Sequence, residues 1–265
     1  MAKNLLVGMI EFANVPDFGG VNRGEYDEFE DALARAVALM NGISTSATDV
    51  RMFVAPEYYF SGHGATDRGA TTIASLTRDD KHGLYKKLKS TSARYPNVLL
   101  IPGSIAYSKA RGLSKRKYYN VCPIAAGGQI IHKYYKQSND TFQSADDFKS
   151  KDYGATFEYK QLRFGIDICL DHGHKRLKNA LGTATVDVHI LVADGAAPSS
   201  TSIAAPAGTG VVVYCNMNGK GVNGVLTLSK NTFGNLKTTN AGVVARHDQP
   251  LAQGAEVAIY TGTAG

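Results

Sequence analysis

"RFGIDICLDHGHKR", residues 163–176, is the stretch on which the reading of this chain turns. Leu162, Phe164, Ile166 and Ile168 alternate with Arg163, Gly165 and Asp167, the period-two pattern of a strand with one face in a core. Cys169 follows at the strand end, on the face opposite the isoleucines, and Asp171, His172 and His174 come directly after it. Such a cysteine is either a small buried hydrophobe or a nucleophile held at a strand tip. A nucleophile needs a partner: a histidine in a dyad, for which His172 and His174 are candidates, or a nearby ammonium that lowers the thiol pKa.

The flanking sequence sets this strand in an alternating β/α chain. "NLLVGMIEF" (4–12) reads as a first strand. The segment after it places Tyr26, Phe29, Leu33, Ala36, Val37 and Met40 at helical spacing, with Asn22 near the N-cap and Gly42 at the stop. "VRMFVAPE" (50–57) reads as a buried strand, "DKHGLYKKLKSTSARY" (80–95) as an amphipathic helix and "NVLLIPGSIAYS" (97–108) as one strand. From 118 onward strands follow in hairpin order, interrupted by a short basic helix at 174–181. No repeat, linker or low-complexity tract divides the chain. The expectation is therefore one α/β (α+β) domain over 1–265, with sheets carrying helices on their outer faces.

Composition bounds the function classes. With 43% hydrophobic and 20% charged residues in 265, the chain has the makings of a sizeable core rather than of a disordered segment. The N-terminal run reads as a strand rather than a signal peptide, and no stretch is long enough for a bilayer span. Cys122, Cys169 and Cys215 form no C-x-x-C pair, so they are expected as reduced thiols in a cytoplasm. The net charge of +6 is carried partly by "YKKLK" (85–89), "SKARGLSKRK" (108–117) and "HKRLK" (174–178). These clusters lack interleaved aromatics except at Tyr118 and Tyr119, so solvated faces are preferred over a nucleic-acid surface.

Two further strand ends carry chemistry. "FVAPEYYFSG" brings Glu57 out of an apolar strand among Val54, Ala55, Tyr58, Tyr59 and Phe60; partial burial there would raise its pKa toward the range of a general base. "IIHKYYKQSND" offers Lys133 and Lys136, which strand alternation sends to opposite faces. In isolation both read as surface lysines. "GKGVNG" (219–224) matches G-x-G-x-x-G but lies between strands, which makes it a hairpin turn. His63, His172 and His174 fit no standard zinc spacing, and Cys122 and Cys215 sit in apolar strands as core residues.

Taken in order, "FVAPEYYFSG", "GGQIIHKYYKQS" and "RFGIDICLDHG" resemble the nitrilase superfamily of carbon–nitrogen hydrolases, in its amidase-like branch. "YYNVCPIAAGGQI" is similar to the family's Tyr-Asn strand, and "GTGVVVYCNMNG" to its late strand ending in Asn. The resemblance implies a four-layer α-β-β-α sandwich, no metal or organic cofactor, and a homodimer. It assigns Glu57 as general base, Lys136 as oxyanion-stabilising lysine and Cys169 as nucleophile. Tyr58, Tyr59, Leu170, Asp171 and His172 become the expected substrate-binding residues, with the Leu170 N–H a second oxyanion donor. The chain departs from the family after the cysteine, where "CLDHGHKR" lacks a Pro-Glu. It departs again in 137–157, which holds Asp140, Asp146, Asp147 and Asp152 but no second glutamate.

The expected activity is cleavage of a small linear amide or carbamoyl compound through a thioester. Acyl transfer on the same thioester is one alternative, and a non-catalytic protein binding an anionic partner through its basic face is another. Neither a membrane nor a nucleic-acid partner is expected.

Overall fold

The computed structural model describes residues 2–12, 25–61, 63–65, 71–73, 75–111, 115–139, 148–217, 221–232, 234–247, 249–251 and 254–265; of 63–65, 71–73, 111, 115 and 116 only the backbone is described. Asn22, Asp140, Asp146 and Asp147 lie outside the described residues, as does the side chain of His63. Among the described residues no helix is long and apolar enough to cross a membrane.

Two sheets are stacked. The first is built from β1 (Lys3–Phe12), β2 (Val50–Val54), β5 (Leu76–Thr77), β6 (Val98–Ile101), β7 (Ile105–Arg111), β8 (Lys115–Ala126), β9 (Gln129–Tyr135), β16 (Val243–Arg246) and β17 (Ala255–Ala264). Its order is β16-β17-β1-β2-β6-β8-β7-β5, with β9 also paired to β8. The second has the order β10 (Thr156–Tyr159), β11 (Leu162–Ile168), β12 (Val188–Ala193), β13 (Val211–Asn216), β14 (Gly224–Lys230), β15 (Leu236–Asn240). Its centre, β11-β12-β13, is parallel and its edges antiparallel. The small hairpin β3 (His63–Ala65) and β4 (Thr71–Ile73) stands apart.

Strand alternation explains the layering. On β1, Leu5, Val7 and Met9 point between the sheets, where they meet Phe164, Ile166 and Ile168 of β11 together with Val188, Ile190 and Val192 of β12. Leu6, Ile10 and Phe12 point outward beneath helix α1 (Tyr26–Ile43), which buries Phe29, Leu33, Ala36 and Met40 against them. Helix α2 (Arg78–Arg94) covers the same face further along, its start fixed by a Thr77–Asp80 capping box. The outer face of the second sheet is covered more thinly. Helices α3 (Leu170–Gly173) and α4 (Arg176–Leu181) lie there with the segment at 203–205, over Leu191, Val212, Tyr214, Leu226 and Leu228. The result is the expected α-β-β-α order with a slight fourth layer.

The strand expected over 97–108 is two strands, interrupted at 102–104. Strand β15 went unread in the polar segment before the tail, since "LKTTN" has no apolar alternation and half-exposed to exposed side chains. The break at 102–104 matters for the site.

Candidate active site

Glu57 sits at the head of a turn immediately after β2. Its chain leaves the sheet once the Ala55 N–H has bonded the Ile101 carbonyl at 2.9 Å. The break between β6 and β7 then clamps the turn. Gly103 has φ +73°, and a Cβ there would lie 1.9 Å from the Pro56 carbonyl oxygen, so only glycine permits the approach. The Ser104 hydroxyl takes the Tyr58 N–H at 3.2 Å, and the Ser61 hydroxyl takes the Ala106 N–H at 3.2 Å. Tyr58 itself is held at φ +60°, a conformation costly for a tyrosine and retained only because the surroundings impose it.

Lys136 follows the last residue of β9, and its N–H bonds the Asn120 carbonyl at 2.9 Å. Its side chain is fully buried rather than on the surface. Its Nζ donates to Glu57 Oε1 at 2.9 Å, and Asn120 Nδ2 donates to the same oxygen at 2.9 Å. The Tyr58 hydroxyl lies 3.4 Å from Nζ. Lys133, on the other face as alternation requires, rests its ammonium over the Tyr85 ring under α2.

Cys169 joins this group from the second sheet. Strand β11 ends at Ile168, the Cys169 N–H bonds the Val192 carbonyl at 3.0 Å, and the residue turns at φ +46°, ψ −106°. The thiol is partly buried, with Sγ 3.7 Å from the Asp194 carbonyl oxygen. Burial pushes its pKa up to about 12. The Glu57 carboxylate, to which the thiol hydrogen-bonds, adds to that shift, and the Lys136 ammonium opposes it. The thiol therefore holds its proton at neutral pH beside an ion-paired carboxylate. Leu170 opens α3 directly behind it, so its N–H is among the first-turn amides with no carbonyl of that helix to bond.

The other expected site residues are placed differently. Asp171 is fully buried and its carboxylate is taken up internally, by the Gln137 N–H at 2.9 Å, the Ser138 N–H at 2.6 Å and the Tyr134 hydroxyl at 2.8 Å. It straps the chain just beyond Cys169 to the chain just beyond Lys136, and its oxygens are taken up by these protein groups rather than turned toward the thiol. His172 points away from the thiol: Nδ1 lies 3.2 Å from Asp167 Oδ2, and Nε2 accepts the Ser199 N–H at 2.9 Å. His174 pairs Nδ1 with the Ser138 hydroxyl at 3.0 Å, so neither histidine forms the dyad weighed from sequence. Tyr59 also leaves the site. In the turn its ring swings to the helix side, 6.0 Å from Phe29 and 4.9 Å from Phe60, and becomes core. Asp152, the described acid of 137–157, caps the local Gly154 N–H and is exposed.

Beneath the nucleophile strand lies a buried Asp167–His172–His189 cluster whose ligand atoms are close enough for a metal ion. Its hydrogen bonds argue against that use. His172 Nε2 and His189 Nδ1 each accept a backbone N–H, from Ser199 and Ala204 respectively. The nitrogens facing Asp167 therefore carry protons and donate to it, leaving no lone pair for a cation. Burial alone would raise the Asp167 pKa, but the hydrogen bonds from His172 and His189 outweigh it and hold the group at about 2.

Sequence reasoning missed Asn120, Gly103, Ser104 and Tyr134 as parts of the site. Asn120 was visible in "YYN", though its partner Glu57 is 63 positions away in the chain.

No family model and no curated protein matches the sequence. Solved structures do match the fold. The amidase from Nesterenkonia sp., of the nitrilase superfamily, aligns with a TM-score of 0.54 at 11% identity, over 96% of this chain and 89% of its own. A variant of that amidase with the acetamide moiety of fluoroacetamide covalently added at its active-site cysteine aligns with a TM-score of 0.51 at 12% identity, over 98% and 88%. The glutamine-dependent NAD+ synthetase from Acinetobacter baumannii aligns with a TM-score of 0.50 at 13% identity, over 90% of this chain but 41% of its own. The chain shares the fold of these structures.

Proposed function

We propose that the protein is a cysteine-dependent carbon–nitrogen hydrolase that cleaves a small linear amide or carbamoyl compound. The observation that carries this reading is the buried Lys136–Glu57 pair set against the Cys169 thiol. A structural ion pair has no need of a thiol held at a positive φ beside it, since both features cost stability without helping the core.

Each group has a role that its surroundings suit. Glu57 removes the Sγ proton as Cys169 attacks the amide carbon, so no free thiolate is needed in the resting enzyme. The carbon–sulfur bond forms and the carbonyl oxygen becomes an oxyanion, held by the Lys136 ammonium and the Leu170 N–H. Glu57 passes its proton to the leaving nitrogen as the carbon–nitrogen bond breaks, which releases ammonia or an amine and leaves a thioester. A water deprotonated by Glu57 then attacks the thioester carbon, the carbon–sulfur bond breaks, and Cys169 recovers a proton. Asn120 keeps the base in place through Oε1, and Tyr58 borders the ammonium.

The test is amine release from a panel of short aliphatic, ω-carboxyl and carbamoyl amides. Wild-type protein should turn over at least one member and Cys169→Ala none. Equal release by both proteins, or none across the panel, would remove the reading.

A further inference from the structure

On the helix side of the first sheet, beyond the start of α2, six lysines from five segments gather around tyrosine rings. Lys81 of α2 is 5% exposed, with Nζ 4.3 Å from the Tyr107 ring centre and 4.9 Å from that of Tyr85, a ring it shares with Lys133 at 5.4 Å. Tyr107 stacks on Tyr119 at 5.0 Å, and Lys151 lies 5.4 Å from Tyr119 and 5.2 Å from Tyr135. Lys109 and Lys117 stand directly opposite each other in the β7–β8 ladder, where like charges oppose pairing. With Lys149, Lys151 and Tyr119 they line a cavity of about 350 Å³ whose described lining includes no carboxylate.

Among the described residues none of Lys81, Lys109, Lys133, Lys149 and Lys151 is ion-paired with an Asp or Glu. A buried ammonium is ordinarily matched by a carboxylate. Here Lys81 has only π faces, and burial together with Lys151, Lys133 and Arg78 lowers its pKa to about 8. Among the described residues Lys81, Lys109, Lys133, Lys149 and Lys151 have no carboxylate to offset their mutual repulsion, which an entering anion would relieve. Next to it the Tyr153 ring stacks on Tyr135 at 5.4 Å while remaining 55% exposed, which leaves a flat aromatic face beside the lysines.

We propose that this groove binds the phosphates of a nucleotide on Lys109, Lys149 and Lys151, with the base stacked on Tyr153. Lysine ammoniums serve as point-charge phosphate ligands, a cavity of this size suits one nucleotide, and base–tyrosine stacking tolerates any base. The same chemistry comes from a free nucleotide or from one residue of a single strand. The proposal is independent of the hydrolase reading.

Titration calorimetry on the full chain at low salt tests it with four probes: adenosine triphosphate, inorganic tripolyphosphate, an oligothymidylate strand and polyglutamate. The nucleotide or the strand should bind saturably and weaken with added salt. Lys149→Gln with Lys151→Gln, both exposed positions, should weaken that binding at least about tenfold with the melting temperature unchanged. Tyr153→Ala should weaken nucleotide and strand about tenfold and leave tripolyphosphate untouched. In the wild-type protein, bound nucleotide should also protect Lys149 and Lys151 from acetylation. Tighter strand binding identifies the strand as the source, and tighter free-nucleotide binding the free ligand; either supports the site. Absence of saturable binding, indifference to the lysine pair, or polyglutamate binding as tightly as nucleotide would overturn it.

Discussion

Lys136 and Lys81 are both withdrawn from solvent, on opposite faces of the first sheet, and the chain treats them oppositely. Lys136 is fully buried between the sheets and meets Glu57 at 2.9 Å, with Asn120 completing the carboxylate's shell. Lys81, in the first turn of α2, meets two tyrosine rings, other cations and no carboxylate among the described residues. A paired ammonium is locked in position, which suits a group that must hold charge appearing in a transition state. An unpaired one is poised for an anion that comes from outside. Lys133 and Lys136, three positions apart, divide between these two environments by strand alternation.

The largest effect should come from separating those two lysines. Losing one preorganised oxyanion donor costs about 3–4 kcal/mol, or roughly a hundred- to thousandfold in turnover. Lys136→Met should show that loss, while Lys133→Met keeps most activity. Because Lys136 is buried and paired, Lys136→Met should also lower stability by about 3–5 kcal/mol by stranding the Glu57 carboxylate. Adding Glu57→Gln should recover much of that stability and none of the activity. Equal turnover in the two lysine variants would break the comparison, and denaturant melts of the double variant sharpen it.

Next in size is the support under the nucleophile strand. Asp167→Ala strips the acceptor from the His172, His189 and Leu177 N–H groups and should cost about 3 kcal/mol. Asp167 is held at about 2 in the fold, against an unfolded value near 3.9. Its contribution is therefore complete above about pH 4 and lost as pH falls through about 2. His189 is lowered by burial, against which its bond to Asp167 acts. The unfolded imidazole gains a proton below about pH 6.5 that the folded one refuses, so stability also declines as pH drops below that value. Urea midpoints measured from pH 8 to below 2 should fall in both windows; a flat profile would contradict this account of the cluster.

A smaller effect separates the base from the nucleophile. Since the Glu57 carboxylate helps raise the Cys169 thiol to about 12, Glu57→Gln should lower that pKa while abolishing hydrolysis. Thiolate absorbance followed against pH reads the shift. An unchanged or higher value in Glu57→Gln would mean that the carboxylate does not act on the thiol.

The layering and the three converging strand ends were legible because they rest on alternation and on short local runs: "LRFGIDI" has its apolar face between the sheets. The uses of Asp171 and His172 were not, because residues 134–138, which hold Asp171, and Ser199, which fixes His172, come from distant segments. Tyr59 misled because three successive aromatics leave a strand into a turn, where side-chain direction no longer alternates simply. The lysine–tyrosine groove was hidden for the same reason as Asp171. Each lysine run reads as a solvated face, and the aromatic rings that organise the lysines come from α2, from β7 to β9 and from Tyr153.

The central claim is that Cys169 is the group that takes up the acyl half of an amide, with Cys122 and Cys215 inert in the core. It is tested most directly by acid-quenching the wild-type protein during turnover of an amide and mapping the added mass by peptide. The account predicts an adduct of the acyl half on Cys169 alone, present in steady state and absent from Cys169→Ala. Turnover with no adduct in the Cys169 peptide, or an adduct on Cys122 or Cys215, would contradict it.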